Sequence, residues 1–219
     1  MPAKLDSGRG RLRPARSWNG VRAALALGPV LLVLSGCGAS PPPEPGMSRG
    51  VPPDLRGRRV ILLPVQLVVG VAGDPDAELS FTLADVGDEV DWVRENEIQD
   101  AMRRSPTVQT RTRGLPVGVF LQAEVDRIGD PLFGYLRRME ALVEADAILL
   151  PVAASYEPNQ AMPGSGPRVR LTAALVEPRT GRVIWFGIEE GEELDNADPR
   201  ALASAVENLS RTLFWYLGG

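Results

Sequence analysis

The sequence lacks histidine altogether, and its 219 residues include one cysteine, Cys37, and one lysine, Lys4. Without histidine the commonest general base is missing, together with the Ser-His and Cys-His catalytic pairs and the histidine-containing zinc motifs. A phosphate-binding glycine-rich loop is excluded after position 4, because that motif needs a lysine. A single cysteine forms no intramolecular disulfide, so the fold depends on its own apolar core. The catalytic chemistry that remains is that of carboxylates.

The amino terminus has the pattern of a secretory signal peptide. An apolar run from Ala23 to Leu34 follows six basic residues, which are Lys4, Arg9, Arg11, Arg13, Arg16 and Arg22. The run is shorter than the roughly 20 residues that span a bilayer. A basic segment before a short apolar run is typical of a signal that is cleaved after export.

The apolar run ends in Leu34-Ser35-Gly36-Cys37, which resembles the lipobox of bacterial lipoproteins. Small residues at Ser35 and Gly36 fit a narrow peptidase cleft, and the thiol of Cys37 is the atom that takes a diacylglyceryl group. We predict that residues 1–36 are removed and that lipid on Cys37 anchors the chain to a membrane. A chance cysteine or a buried free thiol is disfavoured, because the basic segment, the apolar run and the small residues agree.

The charge balance argues against a nucleic-acid partner. The chain has 24 basic and 28 acidic residues, and removing the six basic residues and Asp6 of the signal leaves 18 and 27, a net charge of −9. Nucleic acids and anionic lipids both need clustered positive charge.

Gly38 stands where an aspartate would retain a lipoprotein in the inner membrane of enteric bacteria. We therefore expect an outer-membrane lipoprotein that faces the periplasm.

Residues 37–57 are predicted to form a flexible tether. The segment contains Pro41, Pro42, Pro43 and Pro45 and has no apolar periodicity, which favours an extended, unpacked chain. The alternative, an amino-terminal strand that pairs with the sheet, is disfavoured by the prolines. The folded domain is then expected to cover residues 58–219.

Apolar patterning within residues 58–219 predicts strands interleaved with helices. The expected elements are strands at 59–65, 79–83, 107–112 and 146–152, a hairpin of 169–176 with 182–186, and helices at 96–104, from Asp130-Pro131, and from Asp198-Pro199. Each Asp-Pro pair is expected to start its helix, with aspartate at the N-cap and proline at the first helical position. Leu202, Val206, Leu209, Leu213 and Leu217 would form the buried stripe of the last helix. The fold class is α/β, with a mixed sheet covered by helices.

Two phrases within this order carry a resemblance to a known fold. The first is Ala145-Asp146 leading into a buried strand, and the second is the Pro178-Arg179-Thr180-Gly181 hairpin turn followed by Trp185. Over residues 58–217 the chain resembles the fold shared by the curli secretion lipoprotein CsgG, the penicillin-binding-protein activator LpoB and the amino-terminal domain of TolB. The resemblance implies a periplasmic binding or assembly module rather than a reaction. The long amphipathic hairpins from which the curli channel builds its pore are missing from the sequence.

Two acidic clusters are the candidates for carboxylate chemistry. The run from Glu189 to Glu193, with Asp195, could gather Ca²⁺, but it lacks the spacing of an EF-hand loop, and we favour a solvated acidic loop. The cluster Asp85, Asp88, Glu89 and Asp91 is interpreted as a solvated loop that leads into a helix. We expect no metal site and no cofactor.

Trp215 is the candidate partner-binding residue. Its helical angle lies opposite the apolar stripe of the last helix, so the side chain is expected to be exposed. Exposed tryptophan is frequent at binding hot spots, although a frayed helix end is the alternative. Trp185, which alternates with Val183 in the hairpin, is different, because one of these two side chains is expected to face the core.

The sequence therefore predicts a lipid-anchored, non-catalytic envelope lipoprotein that binds a protein partner, as an adaptor, assembly factor or regulator of an envelope machine. The alternative is a subunit of an outer-membrane secretion channel of the curli-export type, and a weaker one is a carboxylate hydrolase. A homo-oligomer is compatible with the first two.

Overall fold

The computed structural model describes residues 48–121, 125–158 and 166–217. The predicted signal peptide and lipobox, Cys37 and the predicted tether up to residue 47 lie outside the described residues. The strands in these ranges are β1 (Ser48–Arg49), β2 (Arg59–Leu62), β3 (Leu67–Val69), β4 (Asp91–Val93), β5 (Ala147–Pro158), β6 (Pro167–Glu177) and β7 (Arg182–Glu193). The helices are α1 (Pro75–Val86), α2 (Glu95–Arg104), α3 (Leu132–Val143) and α4 (Pro199–Leu213), and short 3-10 turns cover Val117–Leu121 and Trp215–Leu217. No helix in the described part is long and apolar enough to span a membrane.

The strands form one mixed sheet in the order β1-β7-β6-β5-β2-β4, and β3 pairs with the far part of β5. β2 runs parallel to both β4 and β5, and β3 also runs parallel to β5. The pairs β5–β6, β6–β7 and β1–β7 are antiparallel. The predicted fold class, a mixed sheet covered by helices, is confirmed.

Alternation along the strands divides the core into two layers, one on each face of the sheet. In β2 and just after it, Val60 and Leu62 face one layer while Ile61 and Leu63 face the other. α1 and α4 pack on the first face, and α2 and α3 cover the second. Trp185 pairs with Leu175 of β6 and Val183 pairs with Val176, because the register of the two strands shifts between Leu175 and Val176. As a result Trp185 is buried in the α1–α4 layer, whereas Val183 contacts the α2–α3 layer.

Helix α1 replaces the short strand predicted around Leu79, Phe81 and Leu83. The Asp74 carboxylate accepts hydrogen bonds from the backbone N–H groups of Asp76 and Ala77, and Pro75 occupies the first turn. Leu79 and Leu83, four residues apart, are buried, while Phe81 is exposed. The predicted strand was wrong, because Phe81 lies on the solvent-exposed face of a helix and not on the same face as Leu79 and Leu83. The strand predicted at residues 107–112 is also absent, since that segment forms a turn and irregular chain.

The other helices are confirmed, with shifts at their ends. Asp198 caps α4 by accepting a hydrogen bond of 2.9 Å from the N–H of Arg200. At α3 the N-cap position is Pro131, one residue later than predicted, but Asp130 still accepts a hydrogen bond from the N–H of Gly134 at 3.1 Å. The predicted α4 stripe is buried from Leu202 to Leu213, where the helix ends; the side chain of Leu217 is outside the described residues.

The folded domain begins before residue 58, which corrects the predicted tether boundary. Residues of β1 pair with β7, Ser48 opposite Gly187 and Arg49 opposite Phe186. Leu55 is fully buried in the α1–α4 layer, and its N–H donates to the Tyr216 hydroxyl at 3.2 Å. The prolines do not prevent pairing, because β1 is a two-residue edge strand that ends before Pro52. Residues 48–57 therefore belong to the domain.

Candidate functional site

The acidic run from Glu189 to Glu193 lies in strand β7, so the predicted solvated loop is wrong. The antiparallel register places Glu190 opposite Arg170 of β6, and their side chains form a largely buried ion pair of 2.9 Å. Glu193 pairs with Arg168 of the same strand at 3.6 Å. In the described ranges no three acidic or other ligating side chains are grouped to hold a metal ion. Arginines on β6 thus pair with Glu190 and Glu193, two of the acids that were considered as Ca²⁺ ligands.

Glu189 differs from its neighbours because its nearest polar partner is neutral. The hydroxyl of Thr212 on α4 donates to the Glu189 carboxylate at 2.9 Å. Burial raises the pKa of Glu189 above its ordinary value, and this hydrogen bond only partly offsets the shift. Glu189 is therefore a half-buried carboxylate whose charge costs folding free energy.

The second acidic cluster spans the end of α1, the following turn and the start of β4. It follows α1 and precedes α2, the helix into which it was predicted to lead, with β4 between them. Two of its members face arginines of the amino-terminal part of the domain. Asp91 contacts Arg59 at 3.2 Å, and Glu89 lies 3.8 Å from Arg56. Asp91 thus joins β4 to β2, and Glu89 joins the turn before β4 to the segment before β2.

A cavity of about 260 Å³ lies at the carboxyl ends of β2 and β4, where α1 and α2 begin. This edge is where open α/β sheets usually bind ligands. Here Arg113 lines the cavity, with one guanidinium nitrogen 3.0 Å from Asp76 and 2.9 Å from Glu95. Thr112 also donates to Glu95 at 2.6 Å.

These contacts favour the ionised form of Glu95. Burial opposes its charge, but the hydrogen bonds from Arg113 and Thr112 outweigh burial and lower the pKa of Glu95 below its ordinary value. A carboxylate held ionised in this way is a poor proton donor. The network ties the segment around Thr112 and Arg113 to the starts of α1 and α2.

The exposed large apolar residues of the described ranges fall into three surfaces. They are Val51, Leu67, Val68, Val69, Phe81 and Trp215. Three of them make up β3, one lies on α1, and the remaining two lie where the amino-terminal segment meets the end of the chain. Apolar groups gathered on regular structure are more informative than single exposed residues.

Trp215 is 55 % exposed, yet several contacts fix its ring. The indole Nε1 donates to the carbonyl oxygen of Pro52 at 3.0 Å. The ring meets Tyr216 edge to face, with 6.2 Å between centroids. Tyr216 is itself held by the N–H of Leu55 and by the guanidinium of Arg56, 5.3 Å above its ring. The indole therefore faces solvent in one orientation.

The exposure of Trp215 has a different origin from the predicted helical angle. Helix α4 ends at Leu213, and Phe214, the C-cap residue, turns its side chain into the core. Trp215 begins the 3-10 turn that follows. The turn, not the phase of α4, leaves the indole outside, and Val51 is exposed one residue before the Pro52 that holds it.

β3 is an apolar edge strand that sequence reasoning missed. Leu67, Val68 and Val69 pair with Ala153, Ala154 and Ser155 of β5. Within the described residues no strand pairs with the other edge of β3, and all three side chains are exposed. Free edges of this kind can accept an additional strand. Its signal in the sequence was the apolar Leu67-Val68-Val69 run itself, which lies just beyond the predicted first strand.

Comparisons with known proteins find only distant likeness. No protein-family model matches the chain, and no curated protein matches it either. Among solved structures, the LpoB C-terminal domain from Escherichia coli is 17 % identical with a TM-score of 0.38, covering 63 % of this chain and 84 % of that one. The PelC dodecamer from Paraburkholderia phytofirmans is 13 % identical with a TM-score of 0.38, covering 77 % and 94 %. Lipoprotein GNA1162 from Neisseria meningitidis is 14 % identical with a TM-score of 0.39, covering 74 % and 97 %.

LpoB, which the sequence resembles, is thus among the matched structures. At these identities and TM-scores the likeness transfers no function, partner or assembly from those proteins to this chain.

Proposed function

We propose that this chain is a lipid-anchored, non-catalytic lipoprotein of the bacterial envelope that binds a protein partner through the surface around Trp215. The observation that supports it is the exposed indole held in one orientation by Pro52 and Tyr216. Aromatic side chains dominate binding hot spots. A ring that is already fixed loses little conformational entropy on binding, so more of the contact energy appears as affinity.

Anchoring through Cys37 is supported by the basic segment, the apolar run and the lipobox that precede it. Ten residues, 38–47, separate Cys37 from β1, and covalent geometry limits them to about 36 Å. A membrane-held domain on so short a segment meets partners at a raised local concentration. Gly38 after the modified cysteine favours the outer membrane, facing the periplasm.

A binding role is favoured over carboxylate hydrolysis by the surroundings of the acids. Glu190, Glu193, Asp76 and Glu95 are each paired with an arginine. Such pairs hold the sheet and the helix starts together, whereas a hydrolase needs acids that face substrate. The comparisons give no support to a curli-type channel subunit, for which a stable ring in detergent would be the signature.

The experiment is crosslinking of the native lipoprotein in its own envelope, followed by identification of the captured protein. Trp215→Ala should reduce capture by about thirtyfold, the loss of roughly 2 kcal/mol that a hot-spot aromatic gives. Val68→Ala, an exposed apolar residue on β3, is the matched control and should capture normally. Equal capture by all three proteins would reject the Trp215 surface.

A further inference from the structure

Helix α1 has two apolar faces, and the described residues cover only one of them. Leu79 and Leu83 are buried against the sheet and α4. On the outer side, Ala77 and Phe81 are exposed and Ala84 is partly exposed. Phe81 is 76 % exposed, although it lies in the middle of a regular helix. Phe81 with the two alanines beside it makes this face a candidate interaction surface.

The outer face of α1 carries both a projection and a recess. Phe81 borders a groove of about 540 Å³ whose other lining residues are small or charged: Ala77, Ser80, Ala84, Asp85 and Arg94. The small residues leave room beside the helix, and Phe81 is a side chain of the size that fills such room. The surface therefore carries both a groove that could accept Phe81 of a second copy and a Phe81 that could enter the groove of that copy.

Charged residues mark the two ends of this surface. Arg94 follows β4 at the sheet edge where α1 begins, and it lines the neighbouring cavity together with Asp76, Leu79 and Ser80 from the first half of α1. Asp85 lies in the last turn of α1, at the other end. Within the part of the chain that the structure describes, neither Asp85 nor Arg94 has a salt-bridge partner.

We propose that the outer face of α1 binds the same face of a second copy of this chain, with the two α1 helices antiparallel about a two-fold axis. Phe81 of each copy then fills the groove of the other. The antiparallel arrangement brings Asp85 towards Arg94 of the partner subunit, twice by symmetry, whereas a parallel arrangement would place Asp85 against its own copy. Self-complementary surfaces of this type give isologous dimers.

The contact area is small, so we expect the dimer between copies anchored in one membrane and not in free solution. Twelve residues make α1 about 18 Å long, so one face of it buries far less than the roughly 800 Å² per partner of a stable interface. Free in solution the pair would be weak. Confinement of both copies on one bilayer raises their effective concentration, so the dimer rests on the lipid anchoring proposed above.

Single-cysteine crosslinking tests this arrangement. The full-length lipoprotein is expressed, purified in mild detergent and incorporated into phosphatidylcholine vesicles. Ser80 is at the middle of α1, so in the antiparallel pair it lies near the axis, and Ser80→Cys should form a disulfide-linked dimer on mild oxidation. Ser105→Cys is the matched control, because Ser105 is equally partly buried but follows α2 on the opposite face of the sheet. The chain without an engineered cysteine is a further control, because any disulfide-linked dimer that it forms must come from unmodified Cys37.

Two sets of variants in the Ser80→Cys background separate this dimer from chance collision. Phe81→Ala should lower the dimer yield by about tenfold, equivalent to a 1.4 kcal/mol loss. Asp85→Arg should lower it through like-charge contact, and the double change Asp85→Arg with Arg94→Asp should restore it. Melting curves confirm that each variant is folded.

The proposal is overturned if Ser80→Cys crosslinks no better than Ser105→Cys, or if the double charge reversal stays as low as Asp85→Arg. Capture of a different polypeptide at Ser80→Cys in the native envelope, in place of the chain itself, would also overturn it. Failure of the lipid anchor is distinct, because the protein would then not float with the vesicles. Failure of the Trp215 surface is distinct too, because Trp215→Ala leaves the α1 dimer unchanged.

Discussion

The indole Nε1 of Trp215 donates a hydrogen bond of 3.0 Å to the carbonyl oxygen of Pro52, 163 residues earlier in the chain. A second link, from the N–H of Leu55 to the Tyr216 hydroxyl, runs beside it. Together these two bonds attach the segment that follows β1 to the 3-10 turn after α4. The entry of the chain into the domain and the proposed binding surface are thus one structural unit.

Leu55→Ala should destabilise the domain by about 2–5 kcal/mol, because it leaves a cavity in the α1–α4 layer. Val51→Ala, in the same segment but with its side chain 69 % exposed, should stay within about ±0.5 kcal/mol. Urea unfolding of both variants is the measurement. Equal midpoints would mean that residues 48–57 are tether after all.

Trp215→Phe should cost about 0.5–1.5 kcal/mol of stability, the usual contribution of one hydrogen bond, because the ring remains while its bond to Pro52 is lost. Leu209→Ala, in the buried stripe of α4, should cost about 2–5 kcal/mol. Thermal or urea melts compare the two. If Trp215→Phe unfolds the domain as severely as Leu209→Ala, the residue is structural and the binding surface lies elsewhere.

Glu189→Gln should stabilise the domain at neutral pH. The folded-state pKa of Glu189 is raised by burial, so its ionised form destabilises the fold above that pKa, and the penalty disappears as the pH falls towards the ordinary value of 4.5. The gain from Glu189→Gln should therefore shrink over the same range. Urea midpoints measured from pH 8 to pH 4 test this, and a gain independent of pH would contradict it.

Glu95→Gln is the control, because its effect on the stability of the domain should have the opposite sign to that of Glu189→Gln. The pKa of Glu95 is lowered, so its contribution is fully present above the ordinary value of 4.5 and is lost as the pH falls through the lowered folded-state value. Its replacement should destabilise the domain at neutral pH, and the loss should fade below pH 4.5. The same titration of urea midpoints reports both variants.

Cys37→Ala should abolish membrane attachment and leave an unprocessed or soluble precursor. Acyl chains contribute about 0.8 kcal/mol of membrane affinity for each buried CH₂ group, and the net charge of −9 after residue 36 does not favour anionic lipid in their place. Incorporation of radioactive fatty acid and flotation with membranes are the readouts. Label on Cys37→Ala would show that the lipobox prediction is wrong. Fractionation of the unaltered protein wholly with inner-membrane markers would contradict the expectation drawn from Gly38.

Local patterns predicted most of the secondary structure because their causes are local. The Asp198-Pro199 start and the four-residue spacing of the α4 stripe are properties of one helix, and the Thr180-Gly181 turn is a property of one hairpin. Helix α1 was missed for an equally physical reason. Its two apolar faces cancel the one-sided pattern that marks a helix packed on a sheet, so Phe81 between Leu79 and Leu83 imitates a strand.

What the sequence did not predict depends on contacts between distant residues. The burial of Leu55 requires Tyr216, and the fixed orientation of Trp215 requires Pro52. The pairing of Glu190 with Arg170 depends on the β6–β7 register, which shifts at two points along the hairpin. The acidic loop and the long tether were predicted from the local numbers of charges and prolines. Those numbers contain no information about distant contacts, so both predictions were wrong.

The fastening of Pro52 to Trp215 also determines how the domain would bear mechanical load. A partner held at Trp215 would pull on the turn that follows α4, and the hydrogen bond to Pro52 would pass that pull to the segment that follows β1. Tension between the proposed lipid anchor and the partner would then act on the β1–β7 pairing at the sheet edge and on the contact between Pro52 and Trp215. These peripheral contacts, a two-residue edge strand and one side-chain hydrogen bond, would be the first to break under load.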